Sequence, residues 1–436
     1  MYSKSFSFLI ISFFYLVQGN SQEYPGFRVM GRHLYDRCGE KVVLRGIANP
    51  NIWFEKNGIP RYEEIEKTGS NVVRIVWQIN GTADELDQAI THCREKNMIP
   101  MVELHNATGD WSKLQNCINY WISTDIVEVI IKHEAYLLIN IANECGNASV
   151  SKTSFRNGYE SAVNEMRNAG IHVPLVIDGT DWGKNINILQ SEGPYLINAD
   201  PDHNLMFSVH MWWPEMYGYA ESDIVSEIDE SVSMNLPLLV GEFSQMHGEC
   251  TDKAITTSNS IAYLTIIREC QKNEVGYIAW SWFGNCNDFW DMSTEGTFAT
   301  LYDWGLEVAV TDPNSITNTS VRSYLMVNGK CNPAGIDDAI MDPADGTTLH
   351  QNYPNPFNGS TTIVYDLEQY EQVKLSVFNH LGEEIKILVD AFQHPGEYEV
   401  IFFADDFPRG VYLYSLVAGE FCEFRKMINV QKTIEN

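Results

Sequence analysis

Eight short apolar runs restrict the fold of this chain more than any other feature. They read "VLRGIA", "VVRIVW", "MIPMVEL", "YLLINIAN", "PLVIDG", "LMFSVHMW", "PLLVGEF" and "GYIAWSW", spread over the stretch up to Asn328. A strand that is apolar along its whole length has both faces covered, as in a parallel sheet flanked by helices. The segments between the runs supply those helices. In "TADELDQAITHCREKN", Leu86, Ala89, Ile90, Cys93 and Asn97 mark one face, and Thr82 and Glu85 have capping-box spacing. In "TSFRNGYESAVNEMRNAG", Phe155, Tyr159, Val163 and Met166 form a similar stripe, which Gly170 is placed to end. Eight strand–helix units over roughly three hundred residues predict an α/β fold, a (β/α)8 TIM barrel. A doubly wound open sheet is the alternative, weakened because no glycine-rich phosphate loop follows the first run.

The texture changes at Cys331. "CNPAGIDDAIMDPADGTT" is rich in Pro, Gly and Asp and reads as a linker; its acidic "DPADG" lacks the ligand ladder of a calcium loop. Beyond it, "TTIVYDL", "VKLSVFN", "GEYEVIFF" and "GVYLYSLVAG" alternate in polarity, with turn signals at His380-Leu381-Gly382 and Pro408-Arg409-Gly410. A small all-β, Ig-like sandwich is expected there. At the other end, "MYSKSFSFLIISFFYLVQGNSQ" carries Lys4, an apolar run from Phe6 to Val17, and small residues Gly19 and Ser21. That run is too short for a permanent span and reads as a cleaved secretory signal. The expected organisation is a signal at 1–21, a barrel domain at 22–330, a linker at 331–347 and a sandwich at 348–436. A monomer without a stable membrane span is expected.

The formal charge of −29 repels phosphates, which disfavours nucleic acid and anionic membranes as partners. All nine cysteines follow the signal, and an exported chain meets oxidants. An odd count leaves at least one thiol unpaired in a monomer, and no CxxC pair suggests zinc. Cys250 and Cys286 follow the seventh and eighth runs, so their loops are neighbours, and they form the candidate disulfide.

In such a barrel the C-terminal strand ends converge on one open face, so the residues that end each run matter most. The second run carries Arg74, the third ends at His105, and the fourth ends at Asn143-Glu144. The sixth gives His210 and Trp212, the seventh Glu242, and the eighth Trp280 and Trp282. Taken singly, each has an ordinary structural reading as an ion pair or a core aromatic. Together, with no metal motif and no Ser or Cys nucleophile signature, the two glutamates point to glycoside hydrolysis. One carboxyl protonates the leaving oxygen, and the other attacks the anomeric carbon or activates water. Neither a cofactor nor a metal is expected.

The strand-end segments also carry a resemblance. From about Gly26 to Asn328 the chain resembles glycoside hydrolase family 5, within the clan of retaining (β/α)8 glycosidases, and most of all its bacterial endo-β-1,4-mannanases. "INIANECGN" looks like their acid/base segment, "LPLLVGEF" like their nucleophile segment and "GYIAWSWFGN" like their eighth strand; "VELHNATGDW" and "IDGTDWGKN" resemble mannanase loops. The resemblance implies Glu144 as acid/base, Glu242 as nucleophile, Asn143 at the sugar's 2-hydroxyl and Arg74 in support of Glu242. It places His105 and His210 along the reacting subsite with Trp280 as its floor, and implies a β-mannan or related polysaccharide as substrate. Glu144 must then hold a proton, as a partly apolar site favours, while Glu242 must stay ionised, as a nearby guanidinium favours. Trp53, Trp182, Trp213 and Trp290 are the expected sugar platforms. Two departures stand out: Trp212 occupies the place of a tyrosine that donates to the nucleophile, and "GIANPNIWF" has Asn49 and Asn51 where mannanases tend to carry histidines. A β-1,4-glucanase on the same machinery, or a non-catalytic polysaccharide-binding protein, are the alternatives.

"LHQNYPNPFNGSTTIVYDL", "LSVFNHLGEEIKILVD" and "FPRGVYLYSLVAGEFCEFRKMINV" resemble the sorting domains used for type IX secretion. The resemblance implies the type IX machinery as a partner, passage through the periplasm and export across the outer membrane. A carbohydrate-binding sandwich is the competing reading; Tyr353, Phe357 and Tyr398 read as core and turn residues.

Overall fold

The computed structural model describes residues 25–252, 254–331, 347–367, 371–379, 384–393, 395–404, 407–419 and 421–430. The expected signal at 1–21, linker residues 332–346 and the turn at His380-Leu381-Gly382 lie outside the described residues. The chain divides into two compact units at Cys331.

In the first unit the eight runs form eight strands, β1 (Arg45–Asn49), β2 (Val72–Trp77), β3 (Ile99–Leu104), β4 (Leu138–Asn140), β5 (Leu175–Asp178), β6 (Leu205–His210), β7 (Leu238–Glu242) and β8 (Gly276–Ala279). They pair in parallel in chain order, and β8 pairs with β1 to close the barrel. Every residue of these strands is buried, which is why the runs are apolar throughout. A short antiparallel sheet of Arg28–Met30, His33–Tyr35 and Lys41–Val42 precedes the barrel.

The helix Ala83–Glu95 begins at a Thr82 capping box that satisfies two otherwise orphaned amides. Its buried face is Leu86, Ala89, Ile90 and Cys93. Asn97, expected on that face, instead lies beyond the helix in a left-handed conformation (φ 57°), where its short amide side chain is tolerated. The helix Lys152–Asn168 buries Phe155, Tyr159, Val163 and Met166, and Gly170 (φ 87°) follows it.

Disulfides join Cys38 to Cys331 and Cys250 to Cys286. Cys93, Cys117, Cys145 and Cys270 are buried free thiols that pack as small hydrophobes.

In the second unit, strands Thr348–Leu349, Tyr353–Asn358, Ser360–Leu367 and Gly396–Phe403 form one layer. Glu371–Phe378, Glu384–Gln393, Gly410–Ala418 and Phe421–Asn429 form the other. Tyr353–Asn358 also touches Phe421–Asn429 through a single parallel pair, Phe357 with Asn429. Alternate residues such as Ile363, Tyr365, Val373, Leu375, Tyr414 and Leu416 fill the core. Phe357 belongs to that core, and Tyr398 stacks on Tyr365 at 5.3 Å. Tyr353, expected as a core or turn residue, is exposed at the start of its strand. Among the described residues no helix is long and apolar enough to cross a membrane.

Candidate active site

The C-terminal strand ends surround a cleft of about 600 Å³. Glu144 and Glu242 both open into it, with His105, Trp182, Trp212, Trp280 and Trp290 among the lining residues. The strand carrying Glu144 is shorter than its sequence suggests, since β4 stops at Asn140. The chain nevertheless stays in the barrel wall: Ile141 donates to the Val176 carbonyl at 3.0 Å and Asn143 to the Leu104 carbonyl at 3.0 Å. Glu144 then takes a left-handed backbone (φ 48°), uncommon for a residue with a Cβ. This turn aims its carboxyl inward, and its amide donates to Asp178 Oδ2 at 2.9 Å.

Glu242 ends β7 at an irregularity in its pairing with β6. Gly241 makes that approach feasible, because a Cβ there would lie 2.1 Å from Ser208 Oγ. An oxygen of Glu144, an oxygen of Glu242 and a ring nitrogen of His210 all lie within 4.8 Å of one another. His210 Nδ1 sits between the carboxyls, 2.9 Å from Glu144 Oε1 and 3.4 Å from Glu242 Oε2.

A buried polar layer supports the pair. Arg74 donates to Glu242 Oε1 at 2.7 Å and to Asn143 Oδ1 at 2.5 Å. Glu103 and Asp178 each lie 3.8 Å from the guanidinium. Trp212 donates its indole N–H to Glu242 Oε2 at 3.1 Å, so the missing tyrosine is replaced by another donor. Glu103 Oε1 is 2.9 Å from His105 Nδ1 and orients that ring.

The two carboxyls sit in unlike surroundings. Glu144, 7% exposed, is pushed well above the ordinary carboxyl range by burial and by the charges of Glu242 and Asp178. Glu242, 3% exposed, is raised by burial to about 7, opposed by Arg74 and His105. The Arg74 guanidinium does favour the ionised form of Glu242, as expected, but removal from water outweighs it. Still, Glu242 accepts from Arg74 and Trp212, whereas Glu144 faces two like charges. These surroundings favour Glu144 as the proton-bearing member of the pair. Such a site can donate a proton from one side of a bound group while presenting a carboxylate on the other.

Other expectations need correction. His210 does not line the cleft. It is fully buried beneath the carboxyls, covered by Gly183, where a Cβ would lie 2.6 Å from the ring. Asn143 is also buried, between Arg74 and Thr108, to whose hydroxyl it donates at 2.8 Å. Trp213 is no platform: it is 3% exposed, stacks on Tyr219 at 4.7 Å and donates to the Lys184 carbonyl. Trp182, 43% exposed, and Trp290 do present rings to the cleft, and Trp280 stacks on His105 at 5.6 Å. Trp53 is 46% exposed, edge-on to His105. Asn49 and Asn51 are buried and bonded to each other, and Asn51 donates to the Tyr62 hydroxyl, so they brace the wall instead of lining the cleft.

Sequence reasoning missed Thr108, Lys184, Tyr217, His247, Gly248 and Glu249 on the walls, and Glu103 and Asp178 beneath. The loop bearing Gly248 and Glu249 is tied by Cys250–Cys286 to the segment after β8, and Asn287 donates to the Glu249 carbonyl at 2.8 Å. The wall residues come from loops without periodicity. The two acids were legible, since Asp178 ends the fifth run and Glu103 interrupts the third.

The barrel with paired acids at its open face is a scaffold of carbohydrate-cleaving enzymes, and the comparisons with known proteins specify which. Residues 35–285 match the family described as Cellulase (glycosyl hydrolase family 5). The chain belongs to that family and is a glycoside hydrolase. Among its curated relatives is a mannan endo-1,4-beta-mannosidase of Salipaludibacillus agaradhaerens, 32% identical, the match covering 64% of this chain and 89% of the relative. Another of that name, from Cellvibrio japonicus, is 31% identical, with 69% of each covered. The solved beta-mannanase from Thermomonospora fusca superposes with a TM-score of 0.62 at 28% identity, covering 69% of this chain and 99% of that one. Residues 351–431 match the secretion system C-terminal sorting domain.

Proposed function

We propose that this protein is a secreted, retaining endo-β-1,4-mannanase that cleaves internal links of mannan, galactomannan or glucomannan. The observation that carries the reaction is the approach of Glu144 and Glu242, with oxygens within 4.8 Å. Retaining glycosidases hold their carboxyl groups about 5–5.5 Å apart, whereas inverting enzymes leave about 6.5–9.5 Å for a water. Glu144 protonates the departing glycosidic oxygen as Glu242 attacks the anomeric carbon, forming a glycosyl-enzyme ester. Glu144, now a carboxylate, then takes a proton from water, which attacks the same carbon and frees Glu242. Arg74 and Trp212 stabilise the Glu242 carboxylate before attack and after release. Trp280, Trp182 and Trp290 offer faces to sugar rings, and a cleft open at its walls suits an internal segment of a chain.

The mannan assignment is supported by the names of the curated relatives and of the superposing structure. Export is supported by the sorting-domain match and by the signal-like residues 1–21. Reducing-sugar release from locust-bean galactomannan and from carboxymethylcellulose tests the substrate. We expect strong preference for the galactomannan. Preference for the cellulose derivative would make the protein a β-1,4-glucanase on the same machinery, and binding without product from either would remove the catalytic reading.

A further inference from the structure

Beneath the two glutamates lies a third acid, Asp178, which the reaction above leaves unused. It ends β5 and is fully buried. Its Oδ1 accepts from Asn140 Nδ2 at 2.6 Å, and its Oδ2 accepts the Glu144 amide at 2.9 Å. Oδ2 also lies 3.5 Å from His210 Nε2 and 3.8 Å from Arg74 Nη2. Ser208 on β6 completes its hydrogen bonds. The other ionisable groups facing this acid are Glu144, Glu242, Cys145 and, from the helix Lys152–Asn168, Tyr159. Burial keeps the thiol and the phenol protonated.

His210 lies between Asp178 and the glutamates. Burial and the neighbouring Arg74 and His105 hold its protonation well below the ordinary range, so the ring is neutral and only one nitrogen carries hydrogen. If that hydrogen were on Nδ1, it would donate to Glu144 and stabilise the ionised form, against the needs of an acid. If it is on Nε2, which has no hydrogen-bond partner among the described residues, the Asp178 carboxylate 3.5 Å away attracts it electrostatically, and the Nδ1 lone pair accepts the proton carried by Glu144.

We propose that Asp178 is a positioning residue that anchors the left-handed turn of Glu144 and selects the Nε2-protonated tautomer of His210, so that Nδ1 favours the proton-bearing form of Glu144. The inference rests on Glu144 acting as the acid. It also explains why a carboxylate is kept in the barrel floor, where an uncharged residue would be cheaper to bury. Once Glu144 has released its proton, the same lone pair opposes its carboxylate and makes it a stronger base for the second step.

The test pairs two substrates with two readouts. Asp178→Asn removes the charge at nearly constant size. With mannohexaose, which needs leaving-group protonation, kcat is expected to fall about a hundredfold, less than the roughly 10⁴-fold lost when a histidine that itself transfers the proton loses its tautomer-setting partner. The alkaline limb of its pH profile should move to lower pH. With 2,4-dinitrophenyl β-mannobioside, whose leaving group departs unprotonated, the glycosylation rate should change far less. Equal losses on both substrates with an unmoved alkaline limb would make Asp178 merely structural and overturn the proposal. Ring ¹⁵N spectra of the wild-type enzyme, with the His210 signals identified by their loss in His210→Asn, decide the tautomer even if Asp178→Asn fails to fold. Nε2–H is expected, and Nδ1–H overturns the proposal. Wild-type hydrolysis of mannohexaose by Glu144→Gln would instead defeat the underlying reading, whatever the spectra report.

Discussion

Trp212 and Glu242 are joined by an indole N–H donating to a carboxylate oxygen at 3.1 Å, at the position where the resembled family usually carries a tyrosine. The indole comes from the segment after β6 and reaches across to the end of β7, with Trp290 packed against it at 6.2 Å. Trp212→Phe keeps the aromatic bulk and deletes this donor. A hydrogen bond to a charged group contributes about 1.5–3 kcal/mol, so kcat on mannohexaose is expected to fall about 10- to 100-fold with the thermal midpoint little changed. Unaltered kcat would show that the bond does not serve the reaction.

The pH–rate profile follows from the carboxyl pair. Glu242 must be ionised to attack, and burial has raised it to about 7, so activity should climb as pH rises through that value. Glu144 must be protonated, and its still higher position sets the alkaline limb. Initial rates on galactomannan across pH 4–10 check this. A profile already at its maximum near pH 4 would contradict the pair as described.

The same acid should weaken the fold. In the unfolded chain Glu144 ionises near 4.5, as an ordinary glutamate does, whereas in the barrel its proton is held to higher pH. A raised folded pKa contributes stability below about 4.5 that is lost as pH rises toward the folded value. Glu144→Gln has no such loss. It is therefore expected to be more stable than wild type by about 1–3 kcal/mol at pH 8, with the gap closing at pH 4. Urea unfolding at the two pH values measures the difference, and a gap independent of pH would exclude this origin.

The two disulfides should separate stability from binding. Cys38–Cys331 links positions 293 apart near the two ends of the barrel unit, and its removal is expected to cost about 4 kcal/mol with KM unchanged. Cys250–Cys286 spans only 36 positions but pins the wall carrying Gly248 and Glu249. Serine replacements there are expected to raise KM severalfold with a smaller shift in Tm. Thermal melts beside steady-state kinetics distinguish the pair, and equal effects on both quantities would refute the distinction.

How far the sequence discloses this site depends on what fixes each residue. Strands buried on both faces write themselves as continuous apolar runs, so all eight could be read, and their ends supplied Arg74, His105, Asn143, Glu144, His210, Trp212, Glu242 and Trp280. Depth below the cleft could not be read. His210 and Asn143 belong to a buried layer because Gly183 and Thr108 cover them, and no period in the sequence reveals such packing. Exposed and buried tryptophans look alike in sequence, so Trp213 was placed with Trp182 although only the latter has an open face. Lys184, Tyr217 and His247 sit on loops whose course is set by distant contacts, among them Met216 donating to the Ser258 carbonyl at 2.7 Å. In the tail, alternation marked Ser360–Leu367, Glu371–Phe378, Gly396–Phe403 and Gly410–Ala418. It missed the two-residue Thr348–Leu349, the Tyr353–Asn358 strand interrupted by Pro354 and Pro356, and Glu384–Gln393 and Phe421–Asn429, where half-exposed residues blur the pattern.

The stereochemistry of the first product tests the central claim most directly. Proton NMR of mannohexaose hydrolysis, recorded within minutes of mixing and before mutarotation, reports the anomer released. If Glu144 and Glu242 act by double displacement across their narrow gap, the β-anomer appears first and the α-anomer grows only with mutarotation. Initial release of the α-anomer would mean direct attack by water and would contradict the account.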